Sequence, residues 1–137
     1  MKVIELAKKV NTTVHTVRFY TLKGLLSPSK DLSNGYKHYS QKDSHRLKFI
    51  LSARELGFSI KDIKEILLEA DKGKTACPLV RKIIEERLNE TEINFQKTLA
   101  LRKRMKSAIT KWKLKPNLEP TGNMVCHLIE DFFDFDK

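Results

Sequence analysis

The chain has two cysteines, Cys77 and Cys126, and His127 directly follows the second. Thiolates are soft ligands that, alone or with an imidazole nitrogen, suit Zn, Cd, Hg, Pb or Cu(I). A thiolate is also a nucleophile open to electrophiles and oxidants, and two inert buried thiols are the third option. Two cysteines this far apart make no disulfide framework, and a reducing cytosol keeps them as thiols unless they bind metal or react. Cys77-Pro78 opens a long helical run. Proline favours the first helical position, which places Cys77 at or next to the N-cap, where free N–H groups and the helix dipole favour the thiolate. Cys126 follows a loop broken by Pro116, Pro120 and Gly122. With Asn123 as N-cap, Cys126 falls in the first turn of a short helix whose apolar face is Val125, Leu128, Ile129, Phe132 and Phe133. His127 is either a ligand or a solvated neighbour, and the acidic residues Asp131, Asp134 and Asp136 form a solvated end.

The element that has to position these groups is the run from about Pro78 to Lys113. Ile84, Leu88, Thr91, Phe95, Thr98, Arg102, Met105, Ile109 and Trp112 alternate steps of four and three, a heptad seam with polar interruptions. Such a helix extends about 50 Å at 1.5 Å per residue. No second helix of that length exists in the sequence, so the seam is expected to pair with a second copy of the chain.

Upstream, a second set of residues has chemistry suited to nucleic acid. Val3, Leu6, Ala7 and Val10 mark one helix, Asn11 can take the left-handed turn conformation, and Thr13 is an N-cap. A second helix over Val14–Lys23 is expected to bury Val14, Val17 and Leu22 and to stop at Gly24. Two short helices about a tight turn make a helix-turn-helix, whose second helix presents His15, Thr16, Arg18 and Phe19 to a major groove. Arg18 leads because a guanidinium can pair two-pronged with guanine or phosphate. Asn34-Gly35 predicts a two-residue hairpin turn, with Tyr36 and Lys37 on the returning strand as a wing. A helix pair follows, split at Gly57 and capped by Ser59 and Asp62, with Arg46, Lys48 and Arg54 as basic residues within reach of a DNA backbone. The 27 Lys and Arg against 17 Asp and Glu, net +10, suit an anionic partner. No apolar run approaches the roughly 18 residues that span a bilayer, and MKVIELAKKV lacks a signal-peptide core, so the expectation is a soluble, cytoplasmic protein without a membrane partner. No catalytic triad, carboxylate pair or phosphate loop can be assembled, so the chain is not expected to be an enzyme.

VIELAKKVNTTVHTVRFYTLKGLL, NGYKHYSQKD and RLKFILSARELGFSIKDIKEIL follow one another over most of residues 3–68. In this order they resemble the MerR family of bacterial transcription regulators, in its branch sensing soft divalent metals. The resemblance implies that Thr16, Arg18, Tyr20 and Lys23 lie on or beside the recognition helix, that Tyr36 and Lys37 form the wing, and that Arg46 and Arg54 match basic positions of the next helix. Asn11 stands where the family has a turn glycine, Lys37 where it has arginine, and Ser44 where it has leucine. The implied fold is mainly α: a winged helix-turn-helix head with its following helix pair (1–74), a long antiparallel coiled-coil dimerisation helix (75–113), and an effector-binding loop with a short C-terminal helix (114–137). An antiparallel homodimer would bring Cys77 of one subunit towards the loop and Cys126 of the other. The resemblance places Cys77 and Cys126 in the metal site, but Trp112 occupies the position of the family's first loop cysteine, which leaves a two-thiolate site, a mixed site of Cys77, Cys126 and His127 with solvent or a carboxylate, or a site that responds to thiol chemistry. The implied function is a metal-responsive activator that binds promoter double-stranded DNA and distorts its spacer for RNA polymerase. Two alternatives are a cysteine-based sensor of electrophiles or oxidants and an effector-independent architectural DNA-binding protein.

Overall fold

The computed structural model describes residues 1–133, so Asp134 and Asp136 lie outside the described residues. Two compact units divide the chain, Met1–Leu88 and Asn89–Lys137. In the first unit, α1 (Val3–Val10) and α2 (Val14–Leu22) are joined by a turn in which Asn11 has φ 59°. That left-handed conformation is tolerable because a short amide side chain adds little steric cost. Thr13 caps α2 by accepting the Thr16 N–H at 3.1 Å. Two strands, β1 (Ser29–Lys30) and β2 (Lys37–His38), pair antiparallel with Ser29 opposite His38. Then come α3 (Gln41–Glu55) and α4 (Ile60–Asp71), each begun by a capping box, Ser40 with Asp43 and Ser59 with Asp62.

Every helix of the head contributes to one core: Leu6, Val17, Leu47, Ile50 and Ile63 are fully buried. The first turns of α5 (Cys77–Trp112) join it through Leu79, Val80 and Ile83. Asp43 is buried as an organiser. Its carboxylate accepts from the Ser40 N–H and hydroxyl and, at 3.1 Å, from the Ser27 N–H, which ties the start of α3 to the segment leaving α2. Asp62 ties α4 to α5 through Arg87 Nε at 3.2 Å.

Three local expectations need correction. Leu22 is 87% exposed while Tyr20 is only 7% exposed: with Val17 inward, the residue three positions on shares its face and the one five positions on does not. The wing turn is not a two-residue Asn-Gly turn. Six residues, 31–36, connect the paired strands, and the side chains of Asp31 and Asn34 satisfy them by accepting the Ser33 and Tyr36 N–H groups at 2.8 and 2.9 Å. The last helix, α6 (His127–Glu130), starts later than expected, with Cys126 rather than Asn123 as N-cap. The Glu130 carboxylate sets that start by accepting the Val125 and Cys126 N–H groups at 3.0 and 2.7 Å.

Among the described residues no helix is long and apolar enough to cross a membrane.

Candidate nucleic-acid interface and effector residues

Three cations of the head, Lys2, Arg18 and Lys37, line one cleft. Arg18 from α2 and Lys37 from β2 line it together with Lys2, Leu22, Tyr36 and Tyr39, and its volume is about 580 Å³. His15, Arg18 and Phe19 project from the outer face of α2. Thr16 stays at the cap, where its hydroxyl accepts from the Thr13 hydroxyl at 2.9 Å. Lys23 lies over the Phe19 ring at 5.5 Å, a cation–π contact that holds both on the exposed side. Tyr36 is exposed on the wing. Tyr20, expected at the interface, is turned inward as part of the core, meeting the Phe19 ring edge-on at 5.1 Å. Arg54 donates to the Phe58 carbonyl at 3.0 Å, across the α3–α4 turn. Arg46 is paired with Asp71 at the end of α4, and this pair holds the Asp71 carboxyl below its ordinary value.

Sequence reasoning overlooked Thr21 and Tyr39. Thr21 Oγ1 donates to the Val17 carbonyl at 2.8 Å and meets the Tyr39 hydroxyl at 2.8 Å. A threonine one turn beyond a buried helix carbonyl is a common back-bonding arrangement, so the helical pattern could have flagged Thr21. Nothing local signals its partner eighteen residues away.

The thiols are placed as follows. Cys77 is the first residue of α5 and exposed, and its N–H donates to Thr75 Oγ1 at 3.3 Å. The helix thus begins one residue before the expected Pro78. In the second unit, Cys126 is half-buried and His127 is 8% exposed. His127 is therefore not a solvated neighbour. Its Nε2 lies 3.0 Å from the Pro116 carbonyl, which can only accept, so Nε2 carries a proton and Nδ1 is the ring nitrogen left for a metal. Such an outer-shell hydrogen bond is the usual way a ligating imidazole is oriented. Nδ1 has Asp131 at 4.0 Å. Trp112 donates from Nε1 to the Leu128 carbonyl at 3.0 Å and meets Phe132 edge-on at 6.1 Å, pinning α6 to the end of α5. Two thiols and an imidazole are a donor set suited to a soft metal, and within one chain no group of three His, Cys, Asp or Glu is clustered to hold one among the described residues.

A helix-turn-helix with a short β wing, a capped helix pair and a long exposed helix defines a winged helix-turn-helix protein. The model of the MerR HTH family regulatory protein matches residues 1–70, and a second one, MerR, DNA binding, matches residues 44–108. The chain belongs to the MerR family. It is 37% identical over 89 residues to the HTH-type transcriptional regulator ZntR of Escherichia coli K12, a match covering 64% of this chain and 63% of that one. With the transcriptional regulator PA4778 of Pseudomonas aeruginosa it shares 30% over 102 residues, 74% of this chain and 77% of that one. Its fold is similar to the crystal structure of the transcription regulator PbrR691 from Ralstonia metallidurans CH34 in complex with lead(II), with TM-score 0.70, 22% identity, and coverage of 95% of this chain and 97% of that chain.

Proposed function

We propose that the chain is a cytoplasmic, metal-responsive transcription regulator that binds promoter double-stranded DNA as a homodimer and activates by distorting the promoter spacer for RNA polymerase. The observation that carries this reading is the convergence of Arg18 and Lys37, from two different elements, on one cleft of a helix-turn-helix head. One cation supplied by the recognition helix and one by the wing is what a groove and its flanking phosphates require. Residues 1–74 are assigned to the head, 75–113 to dimerisation and 114–137 to the effector. The DNA-contacting set is His15, Thr16, Arg18, Phe19, Lys23, Tyr36, Lys37, Arg46 and Arg54, with Tyr20 supporting the helix from behind. Arg46 can reach phosphate with the N–H groups that Asp71 leaves free.

The dimer is supported by α5 itself. More than half of Leu88, Phe95, Met105 and Ile109 stays exposed on its 36 residues, and an apolar seam of that length calls for a partner helix. An antiparallel pair would carry Cys77 of one subunit to the loop of the other. There Cys126 and His127 Nδ1 would complete a site for Zn, Cd, Pb or Hg, with Trp112 contributing packing rather than a thiolate. The likeness to a lead-bound regulator is a likeness of fold and is in keeping with this site. A bound metal would favour one dimer geometry, and a hundredfold shift needs about 2.7 kcal/mol of differential affinity.

Anaerobic titration of the full chain with Zn, Cd, Pb and Hg tests the site, read by metal stoichiometry and by transcription from the DNA upstream of its gene. Binding should weaken by at least about tenfold in Cys77→Ser and in Cys126→Ser. Unchanged binding of all four metals in both variants removes metal sensing. The exposure of Cys77 favours a second reading, a sensor of electrophiles or oxidants. An adduct on Cys77 after aldehyde or peroxide treatment, coupled to a transcriptional response without metal, would select it.

A further inference from the structure

We infer that the Tyr39–Thr21 hydrogen bond is a positioning device that sets the wing against the recognition helix, so that Lys37 reaches a phosphate while Arg18 is in the groove. The inference rests on the reading of the head as a DNA interface. Arg18 and Lys37 share a cleft but come from elements with no continuous backbone pairing between them. The wing consists of two strands of two residues each, and an isolated two-stranded hairpin is marginal in water. Its angle to α2 therefore has to be held from outside the hairpin.

Tyr39, the residue immediately after β2, is placed to do this. Its N–H donates to the Met1 carbonyl at 2.6 Å, its ring is 97% buried in the head core, and its hydroxyl meets Thr21 Oγ1 at 2.8 Å. The direction of that bond follows from the neighbouring one. The Thr21 proton is directed to the Val17 carbonyl at 2.8 Å, so the tyrosine donates and the threonine accepts. Thr21 stands one turn beyond Val17 and three residues beyond Arg18 on α2, and Tyr39 stands two residues beyond Lys37. The bond thus joins the two elements next to the two cations that have to act together. The bond joins a buried tyrosine to a half-buried threonine, so its loss leaves a hydroxyl poorly compensated. Neither residue need touch DNA.

The test uses the full chain and a fluorescent duplex selected by the wild-type protein from a random-sequence pool, with affinity measured across a series of salt concentrations. Tyr39→Phe removes one oxygen and leaves Thr21 bonded to Val17. It should melt within a few degrees of wild type yet bind about fivefold more weakly, with the slope of log affinity against log salt reduced by about one per head. Thr21→Ser should behave as wild type, and Thr21→Val should resemble Tyr39→Phe. Adding Lys37→Ala to Tyr39→Phe should cost less than about twofold further, because the contact is already lost. Wild-type affinity and slope in Tyr39→Phe overturn the inference, as does weaker binding at an unchanged slope, which marks a merely structural role. Lys37→Ala alone leaving the slope unaltered overturns it too. Arg18→Ala without effect on affinity overturns the DNA-interface reading itself, a distinguishable result.

Discussion

On the proposed reading, Arg18 and Lys37 are suited to different work although both are cations on one cleft. A guanidinium on the outer face of α2 can form paired hydrogen bonds with a base edge, whereas an ammonium on the wing is a point charge suited to a phosphate. Arg18→Ala should therefore cost about 1–3 kcal/mol of operator affinity and relax base preference at one position. Lys37→Ala should weaken binding to all sequences alike and lower the salt slope by about one per head. Anisotropy titrations on matched and mismatched duplexes at several salt concentrations separate the two. The placement of both residues, Arg18 on α2 and Lys37 on the wing strand, was legible in the sequence because helix-turn-helix and wing are local patterns. The inward turn of Tyr20 and the exposure of Leu22 were not, since an aromatic and a leucine near a helix end satisfy the apolar pattern equally well. Which of them is buried depends on what packs opposite.

Element boundaries followed local chemistry wherever a cap was present. Ser59 with Asp62 and the glycine at position 57, with φ 89°, place the start of α4 and the turn before it as the sequence predicts. The wing and α6 departed from expectation because side chains outside the assumed motif decide them: Asp31 and Asn34 hold the six-residue connection, and Glu130 and the Pro116 carbonyl set the start of α6 and the ring of His127. A pH dependence belongs to this scale. The hydrogen bond and charge of Arg46 lower the Asp71 carboxyl from 3.8. A depressed carboxylate stabilises the fold above its unfolded value, and that contribution is lost as pH falls through the lower folded value. Asp71→Asn should therefore reduce stability at pH 7, and its difference from wild type should shrink as pH falls below 3.8 and vanish once Asp71 is protonated in both states. Urea unfolding at pH 7 and across the acid range reads this directly; a difference that persists unchanged through acid assigns the effect to packing instead.

At the scale of the whole molecule, the proposed pairing of the exposed α5 seam with a second copy would make stability dependent on concentration. Full burial of a phenylalanine contributes about 1.5–3 kcal/mol, Phe95 has 58% of its surface left to bury, and a symmetric dimer carries it twice, so Phe95→Ala should raise the dimer dissociation constant by roughly a hundredfold. Sedimentation equilibrium should find monomer at concentrations where the wild type is expected to be dimer, and the melting temperature should become less sensitive to protein concentration, because a folded monomer has no partner left to lose. A variant that stays dimeric with unchanged dissociation places the interface elsewhere. The sequence by itself determined the helix-turn-helix, the capped helix pair and the long heptad helix, because helix period, caps and breakers act within a few residues. It also named the two thiols and the imidazole. Only the tertiary structure decided which groups act together: Tyr39 with Thr21, Arg46 with Asp71, His127 with Pro116. Such pairs join residues far apart in the chain, and their geometry follows from packing, on which local pattern has no purchase.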